Sequence, residues 1–295
     1  MNPSFLTLSP QGRTQTLEYV WVGAEAPAPP TLPTLVFLHE GLGSVALWRD
    51  FPARLCAALG MRGLVYSRFG YGASTPRPAG EALPPDYLER EATLVLPALL
   101  EALAIERPWL IGHSDGGSIA LLAAIHDPKY LRGIVTIAPH YFVEEVCLAG
   151  IARARHAYEQ GRLRERLARY HQDVDSAFYG WCNAWLAPQR RDWTIEAALK
   201  RITCPVLAIQ GEADEYATLE QIKGIRRQAP QTQLCVLAQC GHAPHLQAPD
   251  AVCAAIRVFL QRPAGPADGD DPADGDDAAD GESFRKDFLP PPRNP

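Results

Sequence analysis

The stretch that decides the fold is Trp109-Leu110-Ile111-Gly112-His113-Ser114-Asp115-Gly116-Gly117-Ser118-Ile119-Ala120. A short apolar run, typical of a buried strand, meets the pattern G-x-S-x-G and passes directly into an apolar helical run that ends near Ile125. Side chains at Gly112 and Gly116 would collide across a tight turn. The pattern is that of a nucleophile elbow, which holds Ser114 at the positive end of a helix. The alternative, a surface serine flanked by glycines, is disfavoured by the strand before it and the helix after it.

Composition allows one large α/β domain or two small ones, because the chain has 295 residues and 47% of them are hydrophobic. The net charge of −6 comes from the C-terminus alone. From Pro263 onward there are nine acidic and three basic side chains, and the preceding chain holds 25 of each. A neutral body gives no electrostatic reason to expect nucleic acid or an anionic membrane as partner. We therefore expect a small-molecule substrate, with the oligomeric state left open.

Cysteine usage indicates the redox setting. Seven cysteines, an odd number without metal-type spacing, suggest reduced thiols and a cytoplasmic protein with no metal site. The N-terminus MNPSFLTLSPQGR has no apolar signal region, and no apolar run approaches transmembrane length. We expect a soluble protein that needs neither metal nor organic cofactor.

Strands alternate with helices along most of the chain, which predicts a mostly parallel sheet covered by helices on both faces. Strands are expected at 5–8, 14–22, 34–38, 63–67, from Trp109, at 131–138, 205–209 and 233–237; helices are expected at 48–59, 86–104, after Ser114, at 218–228 and at 250–260.

The alternation stops between residues 140 and 200, after the sixth predicted strand. This segment reads as several helices, and we interpret it as an insertion over the carboxyl edge of the sheet, where ligands bind in open α/β sheets. The prediction is a core of residues 1–139 and 201–262 with a helical lid over 140–200.

Residues 263–295, acidic and Pro-rich, cannot bury enough apolar surface to order themselves and are predicted to be a disordered tail. The alternative for this tail is an acidic interaction segment.

A serine nucleophile needs a base, and an acid must hold that base in one tautomer. In this topology the partners follow in the order serine, acid, histidine. The loop after strand 205–209 supplies Asp214, and the loop after the last strand supplies His242. We predict Ser114 as nucleophile, Asp214 as the orienting acid and His242 as the base. Glu215 and Glu144 remain alternatives for the acid.

The other histidines of these loops are expected to be structural. His245 is the rival for His242, but Gly241-His242 places the latter directly in the tight loop, so His245 is expected to pack or hydrogen-bond that loop. His113 and His39 are expected to hold their turns. The oxyanion that forms in acyl transfer needs two backbone N–H donors. We assign these to Asp115, which follows the nucleophile, and to Gly41, with Leu42 as the alternative.

Taken together and in order, these motifs resemble the α/β-hydrolase fold serine hydrolase superfamily over about residues 15–262, in its small lid-bearing esterase and aromatic-catabolism type. Two positions depart from the pattern. Glu40 stands where many relatives have Gly, and Gln247 stands where relatives commonly have Glu. The resemblance rests on His39-Glu40-Gly41-Leu42-Gly43, Arg68-Phe69-Gly70-Tyr71-Gly72-Ala73-Ser74, Gly112-His113-Ser114-Asp115-Gly116-Gly117, Gly211-Glu212-Ala213-Asp214 and Gly241-His242-Ala243-Pro244-His245.

The resemblance implies hydrolysis of a carboxylic ester through an acyl-enzyme. It also allows carbon–carbon bond hydrolysis of dienoic ring-cleavage products, enol-lactone or thioester hydrolysis, acyl transfer, or a binding protein of the same fold. One fold hosts many chemistries, so these motifs do not identify the substrate. Two features of the insertion offer either substrate contacts or ordinary packing and solvation. They are the aromatic residues Phe178, Tyr179, Trp181, Trp185 and Trp193, and the arginines Arg153, Arg155, Arg162, Arg164, Arg166 and Arg169.

Overall fold

A computed structural model describes residues 2–23 and 33–261. Its centre is one eight-stranded sheet in the order β1-β2-β4-β3-β5-β6-β7-β8. The strands are β1 (Ser4–Leu8), β2 (Gln15–Gly23), β3 (Leu35–Leu38), β4 (Arg62–Tyr66), β5 (Trp109–His113), β6 (Gly133–Ile137), β7 (Val206–Gly211) and β8 (Thr232–Leu237).

The sheet is antiparallel only at one edge. β1 pairs with β2 and β2 with β4 in antiparallel fashion, whereas every later neighbour is parallel. β5 lies in the middle, between β3 and β6. The carboxyl ends of β3, β5, β6, β7 and β8 therefore meet at one edge of the sheet, where open α/β sheets bind ligands. The predicted α/β architecture with a mostly parallel sheet is confirmed.

Helices cover both faces of this sheet and also form the segment between β6 and β7. They are α1 (Phe51–Leu59), α2 (Tyr87–Arg90), α3 (Leu96–Ala102), α4 (Asp115–His126), α5 (Glu145–Glu159), α6 (Arg162–Leu167), α7 (Val174–Leu186), α8 (Glu196–Leu199), α9 (Glu220–Gln228), α10 (Pro244–Gln247) and α11 (Pro249–Gln261).

Alternate strand residues face opposite cores, as the two-residue period of a strand requires. On one face, Val36 and Leu110 pack with the apolar side of α4. On the other face, Phe37 and Ile111 pack with α1 and α11. β3, β6 and β7 are largely apolar because both of their faces are buried, whereas β8 at the sheet edge is polar at its start and only partly buried.

The segment between β6 and β7 has a core of its own. Residues Cys147, Ile151, Phe178 and Trp185 of α5 and α7 belong to this cluster, and Leu42 of the sheet edge packs against it. An antiparallel bridge between Phe142 and Thr194 ties the two ends of the segment together. The prediction of several helices over 140–200 agrees with α5 to α8.

Two predicted helices begin or run differently from expectation. The helix predicted from Trp48 begins at Phe51, because Arg49 adopts a left-handed backbone (φ 53°) that separates a short 3₁₀ turn from α1. The helix predicted over 86–104 contains a π-helical turn at Glu91–Val95 between α2 and α3. Residues 262–295, and with them the predicted disordered tail, lie outside the described residues. Within 2–23 and 33–261, none of the helices is both long and apolar enough to cross a bilayer.

Candidate active site

Ser114 occupies a sharp turn between β5 and α4. Its backbone is left-handed, with φ 52° and ψ −116°, a conformation that is rare and costly for a residue with a side chain. The flanking glycines make the turn possible. A Cβ on Gly112 would overlap the carbonyl of Gly116, and a Cβ on Gly116 would overlap the carbonyl of Leu38. The prediction that side chains would collide here is confirmed.

Three loops at the carboxyl edge bring Ser114, His242 and Asp214 together. Nε2 of His242 lies 2.9 Å from Oγ of Ser114. On the other side of the ring, Nδ1 lies 2.9 and 3.0 Å from the two carboxylate oxygens of Asp214. These three hydrogen-bonded residues are largely buried: Ser114 is 9% exposed, and the side chains of His242 and Asp214 are 13% and 0% exposed. The geometry is that of a nucleophile, a base and an acid.

The carboxylate of Asp214 is held by its own loop and strand. The backbone N–H of Tyr216 donates to Oδ1 at 2.9 Å, and Nε2 of Gln210 donates to Oδ2 at 3.3 Å. Burial alone would raise the pKa of Asp214, but the hydrogen bond from His242 more than offsets this, so the pKa lies below its usual value. An ionised Asp214 accepts a hydrogen bond from the N–H at Nδ1 of His242. The proton therefore stays on Nδ1, and Nε2 is free to accept the proton of Ser114.

Neither of the alternative acids contacts the imidazole ring. Glu215 accepts a hydrogen bond from the backbone N–H of His242 at 3.0 Å and so shapes the loop. Glu144 accepts hydrogen bonds from Thr218 and Gln221. Of the three carboxylates considered from the sequence, Asp214 is the one that faces the base.

Gln247 supports the same loop by a hydrogen bond. Its Oε1 accepts from the backbone N–H of Gly241 at 2.6 Å. The amide therefore holds the residue just before His242 without adding a charge beside the ring.

His113 fastens the loop of His242 to the serine turn. Its Nε2 donates to the main-chain carbonyl of His242 at 2.7 Å. Its Nδ1 lies 3.5 Å from Oε2 of Glu40, whose side chain is 30% exposed. Burial would raise the pKa of Glu40, but the facing His113 holds it well below its usual value. Glu40, which stands where many relatives have Gly, therefore contacts His113, and His113 in turn contacts the carbonyl of His242. These contacts connect the loop of residues 39–43 with the loop of His242.

His39 and His245 also have structural surroundings, as expected. Nδ1 of His39 donates to the carbonyl of Glu40 at 2.6 Å, and its Nε2 accepts from the backbone N–H of Arg68 at 3.0 Å. His245 is buried, with its ring centroid 4.9 Å from that of Trp48. Burial lowers the pKa of both rings well below the usual value, so both are neutral near pH 7.

The two predicted oxyanion donors, Asp115 and Gly41, both have backbone N–H groups without an acceptor among the described residues. Asp115 is the first residue of α4, where a backbone N–H has no partner within the helix. The N–H of Gly41 donates to no acceptor in residues 2–23 and 33–261. The carbonyl of Leu42 accepts a hydrogen bond from Nε2 of His171 at 3.0 Å. The N–H of Leu42 likewise has no acceptor among the described residues, so Gly41 stays the predicted second donor and Leu42 its alternative.

A buried polar network beneath the serine turn was not foreseen from the sequence. The carboxylate of Asp115 lies 3.6 Å from Nη1 of Arg68, and both side chains are at most 4% exposed. Tyr87 donates to it at 2.8 Å and Trp185 at 3.1 Å. Burial lowers the pKa of Arg68, but the facing Asp115 raises it above its usual value. The signal in the sequence was Asp115 itself, a charged residue at the second variable position of G-x-S-x-G, which needs a partner when it is buried.

His140 is a second residue that sequence reasoning missed. It follows β6 at the same sheet edge, and its ring centroid lies 5.9 Å from that of His242. Ser118 of α4 donates to its carbonyl at 2.6 Å. Burial, and then the neighbouring His242, lower the pKa of His140 to about 4. Its position directly after a buried strand was the available signal.

The insertion contacts the sheet edge at the loop of residues 39–43. Trp181 of α7 packs so closely on the 39–43 loop that a Cβ on Gly41 would overlap its indole nitrogen. The aromatic residues of the insertion mostly pack on each other, as with the stacked rings of Tyr158 and Phe178, 3.7 Å apart. They form the core of the insertion. The six arginines named above are exposed, and Arg164 pairs with Asp175 at 2.7 Å.

Comparison with known proteins agrees with the geometry. A family model described as the alpha/beta hydrolase family matches residues 35–255. The human serine hydrolase BPHL is 30% identical over 202 residues, which cover 65% of this chain and 67% of that protein. A 2-hydroxymuconate semialdehyde hydrolase from Pseudomonas sp. (strain CF600) is 26% identical over 77% of this chain and 86% of its own length.

The fold also matches solved structures. The enol-lactonase from Burkholderia xenovorans LB400 superposes with a TM-score of 0.68 at 19% identity, covering 87% of this chain and all of that one. At this identity the likeness concerns the fold alone. The family match spans most of the chain and includes every loop that meets at Ser114. The chain therefore belongs to the alpha/beta hydrolase family and is a hydrolase.

Proposed function

We propose that this protein hydrolyses a carboxylic ester of a small apolar or aromatic substrate through an acyl-enzyme. The observation that carries the proposal is the continuous hydrogen-bonded line from Asp214 through His242 to Ser114. A serine hydroxyl becomes a useful nucleophile only when a base of this kind can take its proton.

The proposed mechanism has two stages. His242 takes the proton of Ser114 as Oγ attacks the substrate carbonyl, and the N–H groups of Gly41 and Asp115 hold the oxyanion. The leaving alcohol receives that proton, and the acyl group stays on Ser114. Water then gives a proton to His242 and attacks the acyl carbonyl. The bond to Oγ breaks, Ser114 recovers its proton, and the acid is released.

In this proposal the insertion of residues 140–200 acts as a lid. Two observations support it: Ser114 is only 9% exposed, and Trp181 of the insertion packs closely on Gly41. Hydrogen exchange of α7 tests the idea. We expect faster exchange in the free protein than after Ser114 has been labelled by a bulky phosphonate, and equal exchange would contradict a moving lid.

We further propose that the protein acts in the cytoplasm. All seven cysteines are free thiols, and six of them are buried. Free thiols are the ordinary state in a reducing compartment.

Intact mass after exposure to a fluorophosphonate tests the activated serine. We expect one adduct on the wild type, one on the control Ser9→Ala and none on Ser114→Ala. Absence of an adduct on a folded wild-type protein would overturn the proposal and favour a binding protein of the same fold.

A substrate panel then separates the reaction classes. Carbon–carbon bond hydrolysis is the second candidate, because the relative from Pseudomonas sp. is a 2-hydroxymuconate semialdehyde hydrolase. Aryl esters, thioesters, enol-lactones and a dienoic ring-cleavage product should be compared by kcat/KM. We expect the aryl esters to be the best substrates. A dienoate that is turned over faster than any ester would replace the ester proposal.

A further inference from the structure

Arg77 is a buried cation without a paired carboxylate near the loop of residues 39–43. Arg77 is 3% exposed, and its Nε and Nη1 have no hydrogen-bond partner within the described ranges. Its Nη2 donates to the main-chain carbonyl of Ser176 in α7. No carboxylate of the described residues lies within ion-pair distance of the guanidinium. Burying an unpaired charge is costly unless something else neutralises it.

Two glycines make room for this guanidinium. A Cβ on Gly70 would overlap Nη1 of Arg77, and a Cβ on Gly180 would overlap its Nη2. Gly70 belongs to the loop after β4, and Gly180 belongs to α7 of the insertion. The arginine therefore occupies a slot formed between the core and the insertion.

A second donor without a partner stands beside the first. Tyr71 is 3% exposed, and its hydroxyl has no hydrogen-bond partner in residues 2–23 and 33–261. The guanidinium carbon of Arg77 lies 5.4 Å from the centre of the Tyr71 ring. The ring of Tyr71 in turn packs edge-on against His39, at 5.3 Å between centroids. The ring of Tyr71 thus lies next to His39, at the start of the loop that carries Gly41, and the guanidinium lies beside that ring.

Two further basic side chains pack around Tyr71, and both have partners. Arg68 also lies against the Tyr71 ring, at 5.1 Å, but it is paired with Asp115. His171 packs on the other side of Tyr71, and both of its ring nitrogens are already bonded, to the N–H of Gly72 and the carbonyl of Leu42. Arg77 differs from Arg68 in having no carboxylate within ion-pair distance among the described residues, and Glu81 interacts with its charge only from farther away.

We infer that Arg77 and the hydroxyl of Tyr71 form a subsite for a carboxylate of the substrate, so that the preferred esters carry a free acid group. A carboxylate offers two oxygens to an arginine fork and accepts from a phenol, and it supplies the missing negative charge. The site lies against the insertion that also packs on Gly41, since Arg77 contacts Gly180 and Trp181 contacts Gly41. The inference rests on the proposed function, because the acid group is placed relative to an ester held at Ser114.

Paired esters test the subsite. The 4-nitrophenyl monoesters of adipic and pimelic acid carry a free carboxylate, and their methyl esters have nearly the same length without the charge. We expect wild type to favour the anionic member of each pair in kcat/KM. Arg77→Gln should lower that ratio by about 10- to 100-fold, the range expected for lost charged hydrogen bonds. Tyr71→Phe removes only the hydroxyl and should lower the ratio by about 3- to 10-fold. Arg166→Gln, an exposed arginine of the insertion, should leave it unchanged.

Binding without turnover gives an independent reading. Calorimetry with monomethyl adipate on Ser114→Ala should show binding that Arg77→Gln weakens about 10-fold or more. The inference would be overturned if monomethyl adipate did not bind. It would also be overturned if wild type and Arg77→Gln had the same ratio of kcat/KM for the anionic and neutral esters, since the slot would then hold water and no substrate carboxylate. Failure of the proposed function looks different, because no ester would be cleaved and no phosphonate adduct would form.

Discussion

The imidazole of His113 donates a 2.7 Å hydrogen bond to the main-chain carbonyl of His242. The residue just before the proposed nucleophile therefore holds the loop that carries the proposed base. Glu40, at 3.5 Å from the other nitrogen of His113, extends this connection to the loop of Gly41. The three loops that must keep a fixed geometry during acyl transfer are joined by these contacts.

The first prediction concerns this connection. His113→Phe keeps a ring at the site but cannot donate to the carbonyl of His242. We expect kcat to fall about 10- to 100-fold, because small displacements of a catalytic group have effects of this size. The free energy of unfolding should fall by about 1–3 kcal/mol, the cost of an unpaired buried carbonyl. His126→Gln, an exposed histidine of α4, is the control. Activity of His113→Phe within twofold of wild type would show that the loop keeps its place without this bond.

The second prediction concerns the buried pair of Arg68 and Asp115. Arg68→Met should lower the free energy of unfolding by about 3–5 kcal/mol, because it leaves the carboxylate of Asp115 buried without its cation. Urea denaturation measures this, with the exposed Arg166→Met as control. Adding Asp115→Leu to Arg68→Met should recover part of the loss. A loss below about 1 kcal/mol for Arg68→Met would show that Tyr87 and Trp185 are sufficient partners.

The third prediction identifies the acid. Asp214→Asn should lower kcat about 10⁴-fold, because the amide stabilises the wrong tautomer of His242. Glu215→Gln keeps an acceptor for the backbone N–H of His242 and should cost less than about 10-fold. Glu144→Gln should have little effect, since its partners are Thr218 and Gln221. Steady-state kinetics on a good aryl ester measures kcat for the three variants. A larger loss of kcat for Glu144→Gln than for Asp214→Asn would identify Glu144 as the acid.

The fourth prediction concerns the contact between the insertion and the oxyanion loop. Gly41→Ala introduces a Cβ that overlaps the indole of Trp181. We expect about 1–3 kcal/mol of destabilisation, as is usual for overpacking, together with a lower kcat. Trp181→Ala should relieve the stability loss when the two changes are combined. Additive effects in this double-mutant cycle would show that the residues are not in contact.

The fifth prediction is a pH dependence of stability. The pKa of His140 is about 4 in the folded protein, against 6.5 for an unperturbed histidine, because burial and His242 disfavour its charged form. The unfolded chain therefore binds more protons between pH 6.5 and 4, so this contribution is complete above pH 6.5 and is lost as the pH falls through that range. At pH 5 the part of the loss that comes from His140 should be about 2 kcal/mol relative to pH 7.5, and the buried His39 and His245, whose pKa values are also lowered, add to the total.

Urea unfolding at the two pH values tests this. His140→Gln should reduce the difference in unfolding free energy between pH 7.5 and pH 5, whereas the exposed His156→Gln should not. The lowered pKa values of Asp214 and Glu40 act in a different range, because a depressed carboxyl contributes stability that is lost only as the pH falls through its folded pKa, below about 4.5. An unchanged pH difference in His140→Gln would contradict the prediction.

Sequence alone determined the sheet, its alternation with helices and the turn at Ser114. The reason is that these features depend on local patterns. Continuous apolar runs identify strands buried on both faces, and a turn that overlaps any Cβ at Gly112 or Gly116 can be recognised from those two glycines. The order of Ser114, Asp214 and His242 along the chain likewise followed from where each strand ends.

Only the tertiary structure decided which side chains meet within those loops. Asp214 and Glu215 are neighbours in sequence, yet one carboxylate faces the ring of His242 and the other its backbone N–H. Arg68 pairs with Asp115, His113 reaches the carbonyl of His242, and Arg77 lies in a slot between Gly70 and Gly180. These contacts join segments far apart in the chain, and their directions depend on the packing of the insertion and loops on the sheet edge, which no local pattern encodes.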